Sequence, residues 1–375
     1  MDNIHLKNKK IICSVTNDLF RDRRMIRICD ALQEFGAEVT LIGVKKPDSL
    51  VLKKQDFKQI RFKMLFNKGV LFYIEYNIRL FIHLMFHTFD IANPVDTDTV
   101  LAVFFAARIK RKKIVFDAHE YFTGVPELQN RRLKKSIWNF IEKMILTKIK
   151  VNYTVSGSLK KLYENKTGQK YYVIKNYPLK SRFKNIEIPD INLKRDIIIS
   201  YVGALNEGRG LKSALKMMTF LNSRYKLLLI GGGDLEDELK AMSKALNLNK
   251  RVKFTGWVDP DIIPGLLTKS HVGLNLLDIN STNYRVSLAN KIFDYMHLGI
   301  PCLTMNFDEY KIINNKYNCF ILTETLEPEI NCKLVENLVL NKNRYNDLRQ
   351  NSLEASQYMI WEKEKEKLIT VFSQL

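Results

Sequence analysis

The five cysteines of this chain, Cys13, Cys29, Cys302, Cys319 and Cys332, include no C-x-x-C pair, and two of them lie inside apolar strand-like runs. Stapled scaffolds and thiolate zinc sites both need closely spaced cysteines, so the pattern argues for a reducing cytosol. The turn after the first apolar run carries Asn17, Asp18, Arg21, Asp22, Arg23 and Arg24 but no glycine, which excludes a G-x-G-x-x-G dinucleotide loop there. MDNIHLKNKK leads straight into a β-rich run and holds no signal-peptide core. The uncharged apolar run at 80–89 contains two histidines and falls far short of a membrane span, so any membrane contact is expected to be peripheral. His83 and His87 have the i, i+4 spacing of a helical metal pair. No third ligand stands at matching spacing, so they read as packing residues, and neither metal nor cofactor is expected.

Acidic residues are also in deficit, 40 against 60 lysines and arginines, for a net charge of +20. That excess suits anionic partners such as nucleotide phosphates or an anionic lipid surface, or simply a lysine-rich soluble surface. The basic residues are spread along the chain without a stacking platform or recognition helix, which argues against nucleic acid. What is abundant is core material: 46% hydrophobic and 11% aromatic over 375 residues, enough for two globular domains.

The chain repeats one grammar. Residues 10–15 read as a strand, Met25, Ile28, Leu32 and Phe35 share a helical face that stops at Gly36, and 38–44 read as a second strand. This opens a parallel sheet, and the polar turn at the carboxyl end of its first strand makes Asp18 and Arg23 ligand candidates. The aromatic segment 64–89 reads as a helix buried against the sheet, with an apolar lip facing lipid as the functional alternative. In IVFDAHEYF an apolar strand runs into Asp117, His119 and Glu120, where chemistry is expected in such folds. A helix at 134–148 is basic on one side and apolar on the other, suited to anionic lipid or to solvent.

Prolines and charges without periodicity mark a linker at 181–195, between a first domain at 1–180 and a second at 196–345. The second half restarts with strands at 197–202, 226–230, 252–254 and 271–277 and the turns GALNEGRG and GGGD. A last helix, within 346–375, is expected to pack across both domains. The fold class is therefore α/β, two doubly wound Rossmann-like domains facing a cleft. The stretch NSTNYRVSLANKIFDYMHLGIPCLTMNFDEY, 280–310, reads as a polar loop, a helix opening near Ser287, a glycine stop at Gly299 and a buried strand. Unpaired amides at a helix start favour a phosphate-bearing ligand.

YVGALNEGRGLKSAL, LLLIGGGD, VKFTGWV and LANKIFDYMHLGIPCLTMNFDEY, in that order and spacing, resemble the carboxyl-terminal half of family-four retaining glycosyltransferases of the GT-B fold. FDAHEYF and NDLFRDRRM resemble the amino-terminal half, as in bacterial enzymes of surface-polysaccharide synthesis. The resemblance implies transfer of a sugar from a UDP- or GDP-linked donor, held mainly by the second domain, to a glycan or lipid-linked acceptor held by the first. It implies that Gly203 lets the backbone approach the diphosphate and that Arg209 supplies charge, since Ala204 stands where many relatives have another basic residue. It further assigns Ser287, Leu288, Ala289, Asn290, Lys291 and Asp294 to the donor, with Lys291 on the diphosphate, the amides of Leu288 and Ala289 on phosphate and sugar, and Asp294 on the ribose. Val286 stands where the family has a sugar-binding glutamate. His119, with Arg209 and Lys291, forms the implied catalytic set, and Asp18, Arg23 and Glu120 are acceptor-side candidates. The implied location is cytoplasmic, peripheral on the inner face of the membrane. The missing glutamate keeps a sugar-nucleotide 2-epimerase in view, and a non-catalytic subunit binding glycan or membrane is the alternative outside enzymes.

Overall fold

A computed structural model describes residues 6–20, 22–47, 49–125, 131–187, 192–193 and 195–375. The chain divides into two compact units, Met1–Asn176 with Glu364–Leu375, and Tyr177–Lys363. Arg21, and 188–191 with 194 of the expected linker, lie outside the described residues.

The first unit is a seven-stranded parallel sheet in the order β3-β2-β1-β4-β5-β6-β7. Its strands are β1 (Lys10–Ser14), β2 (Glu38–Lys45), β3 (Lys58–Lys63), β4 (Ile91–Pro94), β5 (Lys113–Ala118), β6 (Val151–Thr154) and β7 (Tyr171–Val173). Four helices make crossovers between strands: α1 (Arg23–Glu34), α2 (Gly69–Phe86), α3 (Asp96–Ile109) and α4 (Arg132–Ile145); α5 (Gly157–Thr167) joins β6 to β7. The central strands are buried on both faces, as parallel sheets covered by helices require. The Asp22 side chain caps α1 by accepting from the Met25 amide at 3.0 Å. Only one face of α2 is buried, through Phe72, Tyr76, Leu80 and Leu84, so the reading of 64–89 as a buried helix holds for half of its surface. Strand β3 went unread because KQIRFK alternates charge with apolar residues on a half-exposed edge.

The second unit is a six-stranded parallel sheet in the order β10-β9-β8-β11-β12-β13. Its strands are β8 (Ile197–Val202), β9 (Tyr225–Ile230), β10 (Val252–Phe254), β11 (Val272–Asn275), β12 (Cys302–Met305) and β13 (Phe320–Thr323). Its helices are α6 (Leu211–Phe220), α7 (Glu236–Ala245), α8 (Ile263–Leu267), α9 (Thr282–Val286), α10 (Lys291–His297), α11 (Asp308–Tyr317), α12 (Pro328–Leu340) and α13 (Lys342–Ser356). The expected long terminal helix is two helices. A tight turn at 357–360 separates α13 from α14 (Trp361–Phe372), because His297 binds the Met359 carbonyl and the Trp361 amide donates to Pro178. From Glu364 the chain returns to the first unit, where Glu364 accepts from the Lys175 amide at 2.8 Å and Phe372 packs on Tyr153.

Candidate active site

In the second unit the chain leaves β8 at Gly203, whose φ of +133° is open to glycine and strained for other residues. A β-carbon there would lie 3.5 Å from a guanidinium nitrogen of Arg209, 3.5 Å from the Tyr201 hydroxyl and 3.7 Å from Cε of Lys291. Three side chains from β8, the 203–210 turn and α10 therefore converge on one glycine. The turn is seated by Gly231, where an added β-carbon would stand 2.2 Å from the Gly203 carbonyl oxygen. This explains the glycine run after β9, since only a bare backbone lets the two turns stack.

Lys291 is buried, and its Nζ lies 3.9 Å from the Tyr201 ring centroid with no hydrogen-bond partner among the described residues. Burial, reinforced by the neighbouring Arg209 charge, pushes the Lys291 amine well below the usual lysine range. Arg209 is half-buried between the hydroxyls of Tyr201 and Tyr284. Burial opposes its charge, but those hydroxyls hold it above the ordinary arginine range. Two basic groups, one of them unpartnered, thus face the same small space without a carboxylate between them. Such an arrangement is paid for by an anion.

The helix start expected at Ser287 lies four residues later, at Lys291. Ser287 instead ends α9, donating its hydroxyl to the Tyr284 carbonyl at 3.0 Å. The Ala289 amide donates to the buried Tyr310 hydroxyl at 3.0 Å, Leu288 is buried, and Asn290 is exposed just ahead of α10. The carboxylate of Asp294 is buried and taken by Arg182, which also donates to the Pro260 carbonyl at 3.1 Å. Trp257 is 55% exposed and lies against the 231–233 turn. Sequence reasoning missed Tyr201, Tyr284 and Arg182. A tyrosine two residues before the first glycine of the turn was the available signal for Tyr201.

In the first unit, His119 and Glu120 follow β5. The Asp96 carboxylate accepts from the His119 and Glu120 amides at 2.8 and 3.2 Å and binds His119 Nδ1 at 2.9 Å. Asp96 itself sits at φ +57°, a left-handed position that aspartate tolerates, at the start of α3. Burial disfavours the charged imidazole, but the Asp96 charge and hydrogen bond outweigh it and raise His119 to about 9. The ring is 38% exposed, so solvent softens the shift without changing its direction. Asp98 behind it is pushed up to about 8, first by burial and then by the Asp96 charge, while Thr16 donates to it at 2.5 Å. Asp18 is occupied by Ser49 and Arg61 at 2.5 and 3.3 Å, Arg23 is half-buried in the first turn of α1, and Arg24 forms a buried bidentate pair with Asp117. Among the described residues no cluster of three or more histidines, cysteines or carboxylates is placed to hold a metal.

The family model "Glycosyl transferases group 1" matches residues 182–355, which contain every donor-side residue discussed above. The match covers most of the second unit and just under half of the chain. The chain is accordingly a glycosyltransferase, and its fold is GT-B, seen in solved structures that align over nearly its full length. Sucrose-phosphate synthase from Thermosynechococcus elongatus has a TM-score of 0.77 at 13% identity, over 98% of this chain and 99% of that one. Anabaena HepE in complex with UDP and glucose has a TM-score of 0.77 at 14% identity, over 98% and 100%. WaaG, a glycosyltransferase involved in lipopolysaccharide biosynthesis, has a TM-score of 0.75 at 13% identity, over 96% and 99%. No curated protein sequence matches the chain.

Proposed function

We propose that this glycosyltransferase moves a sugar from a UDP- or GDP-linked donor to a glycan or lipid-linked acceptor in bacterial surface-polysaccharide synthesis, with retention at the transferred carbon. One observation carries the donor assignment: the buried, unpartnered Lys291 amine beside Arg209 at Gly203. A diphosphate supplies the missing partner, and it is the group on which charge develops as the sugar leaves. That HepE was solved with UDP and with UDP-glucose supports a uridine donor. WaaG's role in lipopolysaccharide biosynthesis supports a surface glycan.

The charge state of His119 supports same-face transfer, in which the leaving diphosphate takes the acceptor proton. A ring protonated at neutral pH donates hydrogen bonds and is a poor base. His119 then orients hydroxyl groups, with Glu120 beside it on the acceptor side. We assign the enzyme to the cytoplasmic face of the membrane. The 2-epimerase reading draws on Val286, which offers no carboxylate to the sugar.

The test is a thermal-shift panel of UDP and GDP sugars followed by product analysis. A ligand that binds the native state alone raises the melting temperature, and transfer releases nucleotide diphosphate in step with glycosylated acceptor. Conversion of donor into an isomer without nucleotide release would establish the epimerase instead, and no shift with any nucleotide sugar would defeat both.

A further inference from the structure

Helix α2 exposes Val70, Ile74, Ile78, Ile82 and Phe86, a continuous i, i+4 stripe in which every residue is at least 50% exposed. The opposite face, Phe72, Tyr76, Leu80 and Leu84, is packed in a core with Ile42, Val44 and Val103. The helix is apolar enough and, at 18 residues, long enough to cross a membrane. Its packing forbids that, because spanning would strip it from the sheet. It can meet a bilayer only by lying along it.

Helix α4 extends the surface. It adjoins α2 through the edge contact of Tyr73 with Trp138, and it exposes Leu133, Ile137 and Phe140 at 50–76%. Residues 65–140 hold 13 of the 24 exposed large hydrophobics among the described residues. That concentration is well beyond the scattered apolar residues of an ordinary surface.

Charge decides the occupant. Glu75 is the single acid of α2, and it is consumed by Arg79 at 2.8 Å and by the Leu65 and Phe66 amides at 3.0 Å. The acid of α4, Glu142, is buried and paired with Lys166, whereas Arg131, Arg132, Lys143 and Lys148 are exposed around the apolar residues. RIKRKK, at 108–113, adds a further basic run where α3 ends. Of the cations around this apolar stripe only Lys112 meets an acid among the described residues, Asp90 at 3.1 Å, apart from the Arg79 already paired with Glu75. Such a surface repels a second copy of itself and suits anionic headgroups over acyl chains.

We infer that the α2–α4 surface of the first unit docks in the plane of an anionic bilayer, with the isoleucine stripe at the acyl boundary. The inference deepens the reading of a lipid-linked acceptor and rests on it for its purpose, though not for its test. The test is co-sedimentation of the full chain with sucrose-loaded vesicles, phosphatidylcholine alone against phosphatidylcholine with phosphatidylglycerol. The parent protein should partition onto anionic vesicles and keep a bound fraction in high salt. The triple variant Ile74→Asn/Ile78→Asn/Ile82→Asn should lower the partition coefficient roughly tenfold or more, with its thermal response to UDP sugars unchanged. Should that variant melt early, the surface variant Arg132→Glu/Lys143→Glu tests the same surface, and it should lose binding at low salt. Equal recovery of the parent with neutral and anionic vesicles, or undiminished binding by both variants, would overturn the inference. So would a parent that is dimeric by light scattering and becomes monomeric in the triple variant. Nucleotide-sugar binding is read in the absence of vesicles, so failure of the donor assignment would show separately.

Discussion

Replacing Lys291 with methionine should make the protein more stable and less able to bind donor. The parent buries an amine whose Nζ has no hydrogen-bond partner and whose nearest neighbours are the Tyr201 ring and another cation. Leaving such a polar group unmatched costs about 1–3 kcal/mol. Methionine keeps most of the side-chain volume and removes that cost. For a domain of 150–250 residues, each kcal/mol is worth about 2–4 °C, so the melting temperature should rise by roughly 2–12 °C. The gain depends on pH with a definite sign. Burial lowers the proton affinity of Lys291 in the native state, so the unfolded chain binds more protons at every pH below the ordinary lysine value of 10.5, down to the native pKa. Parent stability therefore climbs as pH rises through that window. The advantage of Lys291→Met should be largest at the acid side and level off above about pH 10.5 at the cost of the unmatched neutral amine. Differential scanning fluorimetry from pH 6 upward reads the first effect. Calorimetric titration with UDP in buffers of different ionisation enthalpy reads the second: wherever the pH lies above the native pKa of the amine, the parent should take up protons as diphosphate restores its charge, whereas the variant should bind weakly without that uptake. A variant that melts below the parent, or one that binds UDP as well as the parent, would refute the assignment of Lys291 as a stored cation awaiting an anion.

Arg209→Ala should lower turnover on the order of a hundredfold or more while leaving the melting temperature within a few degrees, as steady-state kinetics alongside fluorimetry would show. Gly231→Ala should destabilise the protein by about 2–4 kcal/mol in denaturant titration, because its φ of +130° strains any side chain and the added carbon meets the Gly203 carbonyl oxygen at 2.2 Å. Asp96→Asn keeps a residue that tolerates the left-handed backbone and can still accept from the His119 and Glu120 amides, but it removes the charge. His119 should then titrate below 6.5 instead of near 9 in carbon-resolved NMR of the imidazole. The parent's extra stability from this pair should be complete below about pH 6.5 and vanish as pH rises through about 9.

The sheets were largely legible because a parallel strand buried on both faces writes a short unbroken apolar run, as at Ile197–Val202, where expected and observed bounds coincide. Edges were not. KQIRFK and FILT lie at the borders of their sheets, where one side needs no partner and the pattern weakens. The terminal helix was misjudged because its break has no proline or glycine; the turn at 357–360 is held by His297 and Pro178, 60 to 180 residues away in sequence. The glycines of the donor turn and Arg209 could be picked out through the resemblance of GALNEGRG and its neighbouring motifs to family-four glycosyltransferases. Tyr201 had only its place two residues before the first glycine to mark it, and in an apolar run it looks like core until its hydroxyl is seen to meet Ala204; Tyr310, between Glu309 and Lys311, had no mark until its hydroxyl is seen to meet the Ala289 amide. Asp294 shows the reverse limit: its type suggested a ribose ligand, yet in the described structure Arg182 has its carboxylate.

How each unit treats its buried charges separates their chemistry. In the first unit the buried Arg24 is matched by Asp117, Asp18 is held by Arg61, and His119 leans on Asp96. In each of these three pairs the charge is already matched, so a ligand there gains little from bringing another anion and is better recognised by hydrogen bonds. In the second unit Lys291 and Arg209 share one glycine and are faced by tyrosine hydroxyls and an aromatic ring, with no carboxylate bonded to either. If residue 286 faces the donor, as the resemblance implies, valine there adds no counterion to Lys291 and Arg209 and leaves their positive potential for the ligand. On that reading Val286→Glu should weaken UDP binding while improving discrimination among UDP sugars. Calorimetry with UDP and with a set of UDP hexoses measures both, and tighter UDP binding in the variant would show that residue 286 does not bear on the phosphates.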